Sequence, residues 1–169
     1  MINELLEVTE DVLKIENEVN QNQKEINSLE RNYLDTVINI VRKGIKYEKI
    51  EKGNGKYYLD SEGKLIKGIL LDKINCVDKN LGWYCKTEDR ELYLLEDGTL
   101  KVFYVIWEWR QGDGSTLERT ISKFQDVNQF DIDDIIISIE NHLQDRLKEL
   151  GERKKSQLAR LEKLKQLQL

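Results

Sequence analysis

The residues that could do chemistry in this chain are few, and their spacing does not match a known catalytic motif. The only histidine is His142, and a lone histidine in a helical pattern is more often a surface residue than a catalytic base. Cys76 and Cys85 are nine residues apart, with no CxxC pair and no nearby histidine. Because a zinc site needs three or four such ligands, we expect two free thiols. A disulfide is the alternative if their strands are neighbours.

Acidic and glycine-bearing segments have structural explanations. Asp131, Asp133 and Asp134 open a helical pattern, where an N-cap and first-turn carboxylates are favoured; a cation site is the alternative. The glycine pairs at 53–55 and 112–114 lie between strand patterns and lead into no helix, which favours hairpin turns over phosphate loops. GxxxxGK[ST], GxSxG and HExxH are absent from the sequence. We therefore expect a non-enzymatic protein without cofactor or metal.

The composition predicts one ordinary domain with helical extensions. The chain has 169 residues, 35% of them charged, with a net charge of −5 and a mean hydropathy of −0.62. No run of about 18 apolar residues occurs, as a membrane helix would need. The first twelve residues contain four acids, which is atypical of a secretory signal. We expect a cytoplasmic protein without a membrane segment.

Two helical segments at the ends of the chain are the longest elements that the sequence predicts. In the N-terminal segment, apolar residues step by three and four, as in the a/d seam of a coiled coil. This seam is formed by Leu5, Val8, Val12, Ile15, Val19, Asn22, Ile26, Leu29, Tyr33 and Ile40. The C-terminal seam is weaker, since two of its positions are polar. It is formed by Ile136, Leu143, Leu147, Leu150, Lys154, Gln157, Leu161 and Leu164.

The charges beside the two seams predict how the helices pair. The g positions are acidic in the first helix and basic in the second: Glu4, Asp11, Glu18 and Glu25 against Arg146, Arg153 and Arg160. Residues 1–30 carry eight acids and two bases, and residues 146–169 carry eight bases and three acids. Because g faces g in an antiparallel pair, the sequence predicts a helical hairpin.

One register of this hairpin matches polar to polar positions. It pairs Ile26 with Leu150 and sets Asn22 against Lys154, a polar layer of the kind that fixes alignment at some cost in stability. In the alternative interpretation, these two polar residues point to water. The same register places Glu18 beside Arg160, Glu25 beside Arg153, and Ile15 beside Leu161.

Between the helices the pattern changes to strand periodicity. Aromatic and β-branched residues separated by turn signals predict an antiparallel β-meander of four to six strands. The predicted strands cover residues 57–59, 64–71, 92–95, 99–110 and 117–124, and 99–110 is expected to be the longest and central one. The fold class is therefore α+β: an N-terminal coiled-coil helix (1–43), an antiparallel sheet head (44–130) and a C-terminal coiled-coil helix (131–169).

Surplus hydrophobic residues point to an interaction or scaffolding module, which we expect to bind a protein partner and to be a homo-oligomer, with a dimer favoured. Off-seam leucines at the far end of the hairpin form one candidate surface: Leu6, Leu13, Leu158 and Leu167. Aromatic residues of the head form the other: Trp83, Tyr84, Trp107 and Trp109. Core packing is the alternative for the aromatic set.

Two further functions are compatible with the sequence. The basic C-terminal helix could bind nucleic acid through counterion release, although the chain as a whole is acidic. Its basic residues are Lys148, Arg153, Lys154, Lys155, Arg160, Lys163 and Lys165. The order of helix, strands and helix also resembles the layout of a prefoldin subunit, in topology alone. That resemblance implies a client-binding, chaperone-like role.

Overall fold

The computed structural model describes residues 2–121 and 129–167. Within these residues the chain forms a long helix, a series of β-strands and a second long helix. The fold is α+β, as the sequence predicts, with an antiparallel sheet of five strands between the helices. The chain divides into two compact units, Met1–Ile40 and Val41–Leu169. The sheet and the second helix belong to the same unit.

Helix α1 spans Ile2–Val41 without a break. It contains neither glycine nor proline, the two residues that most disfavour a helix interior. After its last turn, the Gly44 N–H donates to the Val41 carbonyl oxygen at 2.9 Å. Glycine suits this turn because a Cβ at position 44 would lie only 3.1 Å from Cδ2 of Leu143.

The strands form one five-stranded and one two-stranded antiparallel sheet. Their bounds are β1 Glu48–Lys49, β2 Glu51–Gly53, β3 Lys56–Tyr57, β4 Lys67–Asn80, β5 Tyr84–Leu95, β6 Leu100–Arg110 and β7 Gly114–Ile121. The large sheet has the order β1-β4-β5-β6-β7, and β2 and β3 form a separate hairpin. Strands β4 to β7 follow one another through turns of three or four residues, as antiparallel neighbours can. β1 pairs with β4 after the intervening β2–β3 hairpin.

The predicted turns recur in the structure, whereas the strands predicted at 64–71 and 92–95 are too short. Residues 72–80 of β4 and 84–91 of β5 are strand, although their polar composition does not predict it. For this reason β4, with 14 residues, is longer than β6, with 11. The strand β6 is internal, as expected, but β5 is the middle strand of the sheet. Residues 122–124 of the last predicted strand lie outside the described residues.

The core of the sheet lies on the face of β6 that carries Phe103 and Val105. This face, called the hairpin face below, is covered by the β2–β3 hairpin and the segment after it. The Phe103 ring, fully buried, meets Tyr58 and Tyr93 edge to face at 5.2 and 5.1 Å. Ile50 and Leu95 complete the cluster. The opposite face carries Val102, Leu92 and Leu94, which are also buried.

Helix α2 spans Ile132–Leu167. Its N-cap is Asp131, as the sequence predicts, because one carboxylate oxygen accepts from the Asp133 N–H at 2.8 Å. Ile135 and Ile139 are buried, and the helix packs beside β4. Further along, an imidazole nitrogen of His142 lies 3.1 Å from the Leu70 carbonyl oxygen. The single histidine is therefore a packing residue between helix and sheet.

Candidate interaction surfaces

The apolar seam of α1 is exposed. From Leu5 to Leu29, the exposed fraction of its apolar side chains runs from 47% at Ile26 to 65% at Leu5. A solvated helix in a globular protein normally turns such a stripe toward a core. Seven large aliphatic side chains in one row are more than scattered surface hydrophobes. The row therefore qualifies as a surface for another helix.

Helix α2 carries a shorter stripe of the same kind. Leu147, Leu150, Leu161 and Leu164 are each between 44% and 66% exposed. The two middle positions, Lys154 and Gln157, are polar, so the stripe has an apolar segment on each side of a polar one. This arrangement favours one register of a partner helix. A shift by one heptad would place apolar side chains of that helix against Lys154 and Gln157.

The off-seam leucines widen these stripes at the ends of the chain. Leu6 and Leu13 lie beside the seam of α1, and Leu158 and Leu167 lie beside that of α2. All four are at least half exposed. A strict a/d stripe is sufficient for a two-helix pair, whereas a wider stripe is typical of helices with more than one neighbour. They are called the tip leucines below.

The head aromatics do not form a single surface. Trp83 lies in the turn between β4 and β5, is 61% exposed, and contacts Tyr84 with ring centroids 5.8 Å apart. Trp107 and Trp109 lie on the hairpin face, and Trp107 is 38% exposed. Tyr84 points to the opposite face, beside Arg110 at 5.5 Å. The structure therefore places the two β6 tryptophans together and separates them from Tyr84.

The polar residues of the opposite face pair with one another. Glu88 accepts hydrogen bonds from Lys86 and from the Tyr104 hydroxyl. The bond from Lys86, followed by the bond from Tyr104, lowers the pKa of the Glu88 carboxyl. The hydrogen bond to Glu88 raises the pKa of the Tyr104 hydroxyl. Alternating charges across neighbouring strands stabilise a solvated sheet surface. The network explains how such a polar segment remains β-strand.

Two buried carboxylates lie on the hairpin face, and both have partners. Asp89 is 2.7 Å from Lys73 Nζ and accepts from the Asn75 amide. Glu91 accepts from Arg119 at 3.3 Å and from the Tyr93 hydroxyl at 3.1 Å.

Burial, followed by the charge of Glu91, raises the pKa of Tyr93 to about 12. Every described buried polar side-chain atom is hydrogen bonded, and neither of these two carboxylates is left unpaired.

An open groove of about 520 Å³ runs between β1, β4 and α2. It is lined by four basic and four acidic side chains: Lys46, Lys49, Arg119, Arg146, Glu48, Glu51, Asp145 and Glu149. Lys46 and Arg146 both bind Glu149, at 3.1 and 3.0 Å, and lower the pKa of its carboxyl. With balanced and internally paired charges, the groove favours no ligand of one sign.

In the described part of the chain, the thiols form no disulfide and the acidic residues form no metal cluster. Cys76 and Cys85 are both free, because Cys85 lies opposite Asn80 while Cys76 lies in a bulge several residues along β4; the disulfide alternative is wrong. Among residues 2–121 and 129–167, no three histidine, cysteine or acidic side chains are grouped to hold a metal ion. In the same residues, neither helix is long and apolar enough to cross a membrane.

Comparison with known proteins gives no relative for this chain: no family model, no curated protein and no solved structure matches it.

The second half of β4 is exposed. The periodicity of the sequence does not predict a strand there. Its sequence signal is a repeated Asp-Lys dipeptide, at 72–73 and again at 78–79. A bulge between Asn75 and Val77 breaks the two-residue alternation there. The dipeptides are therefore visible in the sequence, but the face that each side chain occupies is not.

Proposed function

We propose that the protein is a non-enzymatic protein–protein interaction or scaffolding module. The observation that carries this proposal is the exposed aliphatic surface of α1, which comprises the seam row and the tip leucines Leu6 and Leu13 beside it. Removing one such side chain from water is worth about 1.5–3 kcal/mol. A row of seven provides far more association energy than the surface ion pairs beside it, which contribute about 0.2–1 kcal/mol each.

In this proposal the seams of α1 and α2 pair as an antiparallel coiled coil. The acidic g row of α1 and the basic g row of α2 attract each other in that orientation, whereas two copies of α1 would place acid against acid. The polar position Asn22 then faces Lys154, and Glu18 faces Arg160. Hydrophobic burial supplies the stability, and the charged rows select orientation and register.

The tip leucines are the first binding surface of the proposed module. Pairing through a and d leaves Leu6, Leu13 and Leu158 beside the seam, free to contact a further helix. A four-helix bundle between two such hairpins is one arrangement that covers them, which is consistent with a homodimer. Trp83, half or more exposed at a turn, is the second surface, because tryptophan is enriched among the residues that dominate binding energy.

The experiment is a capture from native lysate with immobilised full-length protein, with and without nuclease. We compare the wild type with Leu13→Gln/Leu158→Gln and with Trp83→Ser. Ile137→Gln is the matched control, since Ile137 is an equally exposed aliphatic residue at the other end of α2. We expect a stoichiometric protein that survives nuclease, is lost at least tenfold with one of the two surface variants, and is retained by the control.

Other outcomes of this capture would overturn the proposal. Retention that disappears with nuclease would favour the basic helix as a nucleic-acid surface. Many unrelated unfolded proteins in place of one stoichiometric partner would favour a chaperone-like client-binding role. Equal retention by all variants would show that neither surface is used.

A further inference from the structure

The outer edge of β4 lacks a strand partner over most of its length. β1 pairs only with the first two residues of β4, and α2 covers the next part, where His142 contacts the Leu70 carbonyl. From residue 72 to residue 80, no strand in the described part of the chain pairs with this edge. Backbone N–H and C=O groups on an open edge are a template for another strand.

The two edges of the sheet differ in this respect. At β7 the chain covers its own edge: β2 approaches so closely that a Cβ on Gly53 would lie 2.1 Å from the Leu117 carbonyl oxygen. At β4 the side chains of Lys73 and of residues 75–80 are exposed. Proteins usually protect an open edge by covering it, by bulges or by charged side chains, especially lysine. The β4 edge has a bulge and two lysines, but an aspartate precedes each lysine, so the edge carries both signs.

Of the two bulges in β4, the one between Asn75 and Val77 determines which face each charge occupies. Residues opposite each other in an antiparallel pair point to the same face. Asp72 lies opposite Leu92 and Lys79 opposite Lys86, so these two charges share the face opposite the hairpin. Lys73 lies opposite Glu91 and Asp78 opposite Thr87, so this second pair shares the hairpin face. Without the extra residue, each pair would be divided between the faces.

We propose that the β4 edge binds the β4 edge of a second copy of this chain, in antiparallel orientation, around a two-fold axis at Asn75 and Cys76. Asp72 then faces Lys79 of the second copy. Lys73 faces Asp78 of the second copy. Ile74 faces Val77 of the second copy, on the same face as Asp72 and Lys79.

The charge pattern is what selects a second copy as the occupant. In a two-fold pair every contact occurs twice, so the edge forms four cross-strand ion pairs and two aliphatic pairs, with like charges nowhere opposite. A strand from another protein would need the same alternation at the same spacing. Lys73 is already held in place, because its ammonium lies 2.7 Å from the buried Asp89 carboxylate.

The contact area is modest, so we expect a concentration-dependent dimer and not an obligate one. A single edge-to-edge strand pair falls below the roughly 1,000 Å² of a stable interface. The dimer uses only the sheet and does not depend on the helix pairing or on the binding surfaces of the proposed function. Either proposal can therefore fail while the other holds.

Sedimentation velocity of the full-length protein over a concentration series tests the dimer. The variant Asp72→Lys/Asp78→Lys turns the edge into four lysines, and we expect its dimerisation constant to weaken at least about tenfold. Mixing it with Lys79→Asp should restore part of the association, as a heterodimer, because three of the four cross-strand pairs then join opposite charges. Unchanged circular dichroism shows that the variant is folded. A wild type that stays monomeric, or a variant that dimerises equally well, would overturn the proposal.

The two free cysteines provide a second, independent readout. In the proposed dimer, Cys76 lies at the two-fold axis, so the Cα atoms of its two copies are within the separation of about 7 Å that a disulfide requires. Cys85 lies on β5, away from this axis. Copper phenanthroline with oxygen removes two electrons and two protons from a pair of thiols. We expect a covalent dimer from the wild type and from Cys85→Ser, and none from Cys76→Ser. Cross-linking that requires Cys85 instead would contradict the axis.

Discussion

The sheet and the first helix carry equally regular hydrophobic patterns, yet the two patterns are satisfied differently. In the sheet, Phe103, Leu92 and Leu94 are fully buried. Along α1, Leu5 and Val12 remain more than half exposed. A periodic apolar row therefore predicts that an element needs a partner. It does not indicate whether that partner belongs to the same unit.

The same contrast divides the sheet itself. The half near the β2–β3 hairpin has a packed aromatic cluster around Phe103. The other half, toward the turn at Trp83, has paired charges and partly exposed tryptophans. The first half supplies stability, and the second offers surface and an open edge.

The largest expected effect comes from the core. Phe103→Ala should lower the free energy of unfolding by about 3–5 kcal/mol, because a buried aromatic ring leaves a cavity that the rigid sheet cannot close. Trp107→Ala, on the same strand but partly exposed, should cost clearly less. Urea unfolding followed by circular dichroism measures both. Equal losses would contradict the division of the sheet into a packed and a solvated half.

A smaller loss of stability is expected where β2 covers the edge of β7. Gly53 has φ +135° and no room for a Cβ beside Leu117, whereas Gly55 has φ +73° and open space around it. Gly53→Ala should destabilise the protein by about 1–3 kcal/mol. Gly55→Ala should cost about 1–2 kcal/mol, from backbone strain alone. Thermal unfolding of the two variants gives the difference, and a costlier Gly55→Ala would refute the close approach of β2 to β7.

The helix pairing should give a coupling energy. Reversing Glu18 and Glu25 to arginine should destabilise the protein, and also reversing Arg153 and Arg160 to glutamate should recover part of the loss. Two ion pairs at about 0.2–1 kcal/mol each set the expected coupling at roughly 0.5–2 kcal/mol. Chemical denaturation of the four proteins of this cycle at low salt measures it. A coupling of zero would exclude this register.

The smallest effect is a dependence on pH at the packed half of the sheet. The pKa of Tyr93 is raised to about 12 from 10.0, so the fold favours the neutral phenol. Its contribution to stability is complete below pH 10 and is lost as the pH rises toward 12. Unfolding free energies at pH 9 and pH 11 should therefore differ less for Tyr93→Phe than for the wild type. An identical difference would mean that Tyr93 ionises as it does in water.

Much of the architecture follows from local signals. The bounds of α1 and α2 agree with the sequence prediction within a residue or two, because long uninterrupted periodicity and the cap at Asp131 act locally. The strand 72–80 escapes prediction because its polar residues have low strand propensity and are held by pairing with β5. The sequence presents the four head aromatics as one set, and only the sheet register separates Tyr84 from Trp107 and Trp109.

The sequence by itself determined the two long helices, the turns between strands and the complementary charges beside the seams. These depend on residues close together along the chain, where periodicity, capping and turn chemistry act. Tertiary structure alone decided that residues 72–80 of β4 have a strand neighbour on one side only in the described part of the chain. It also decided that the bulge at Cys76 places Asp72 and Lys79 on one face, and that Asp89 and Glu91 are buried with partners. Each of these depends on which distant strand lies alongside, and in which register, and no local pattern contains that information.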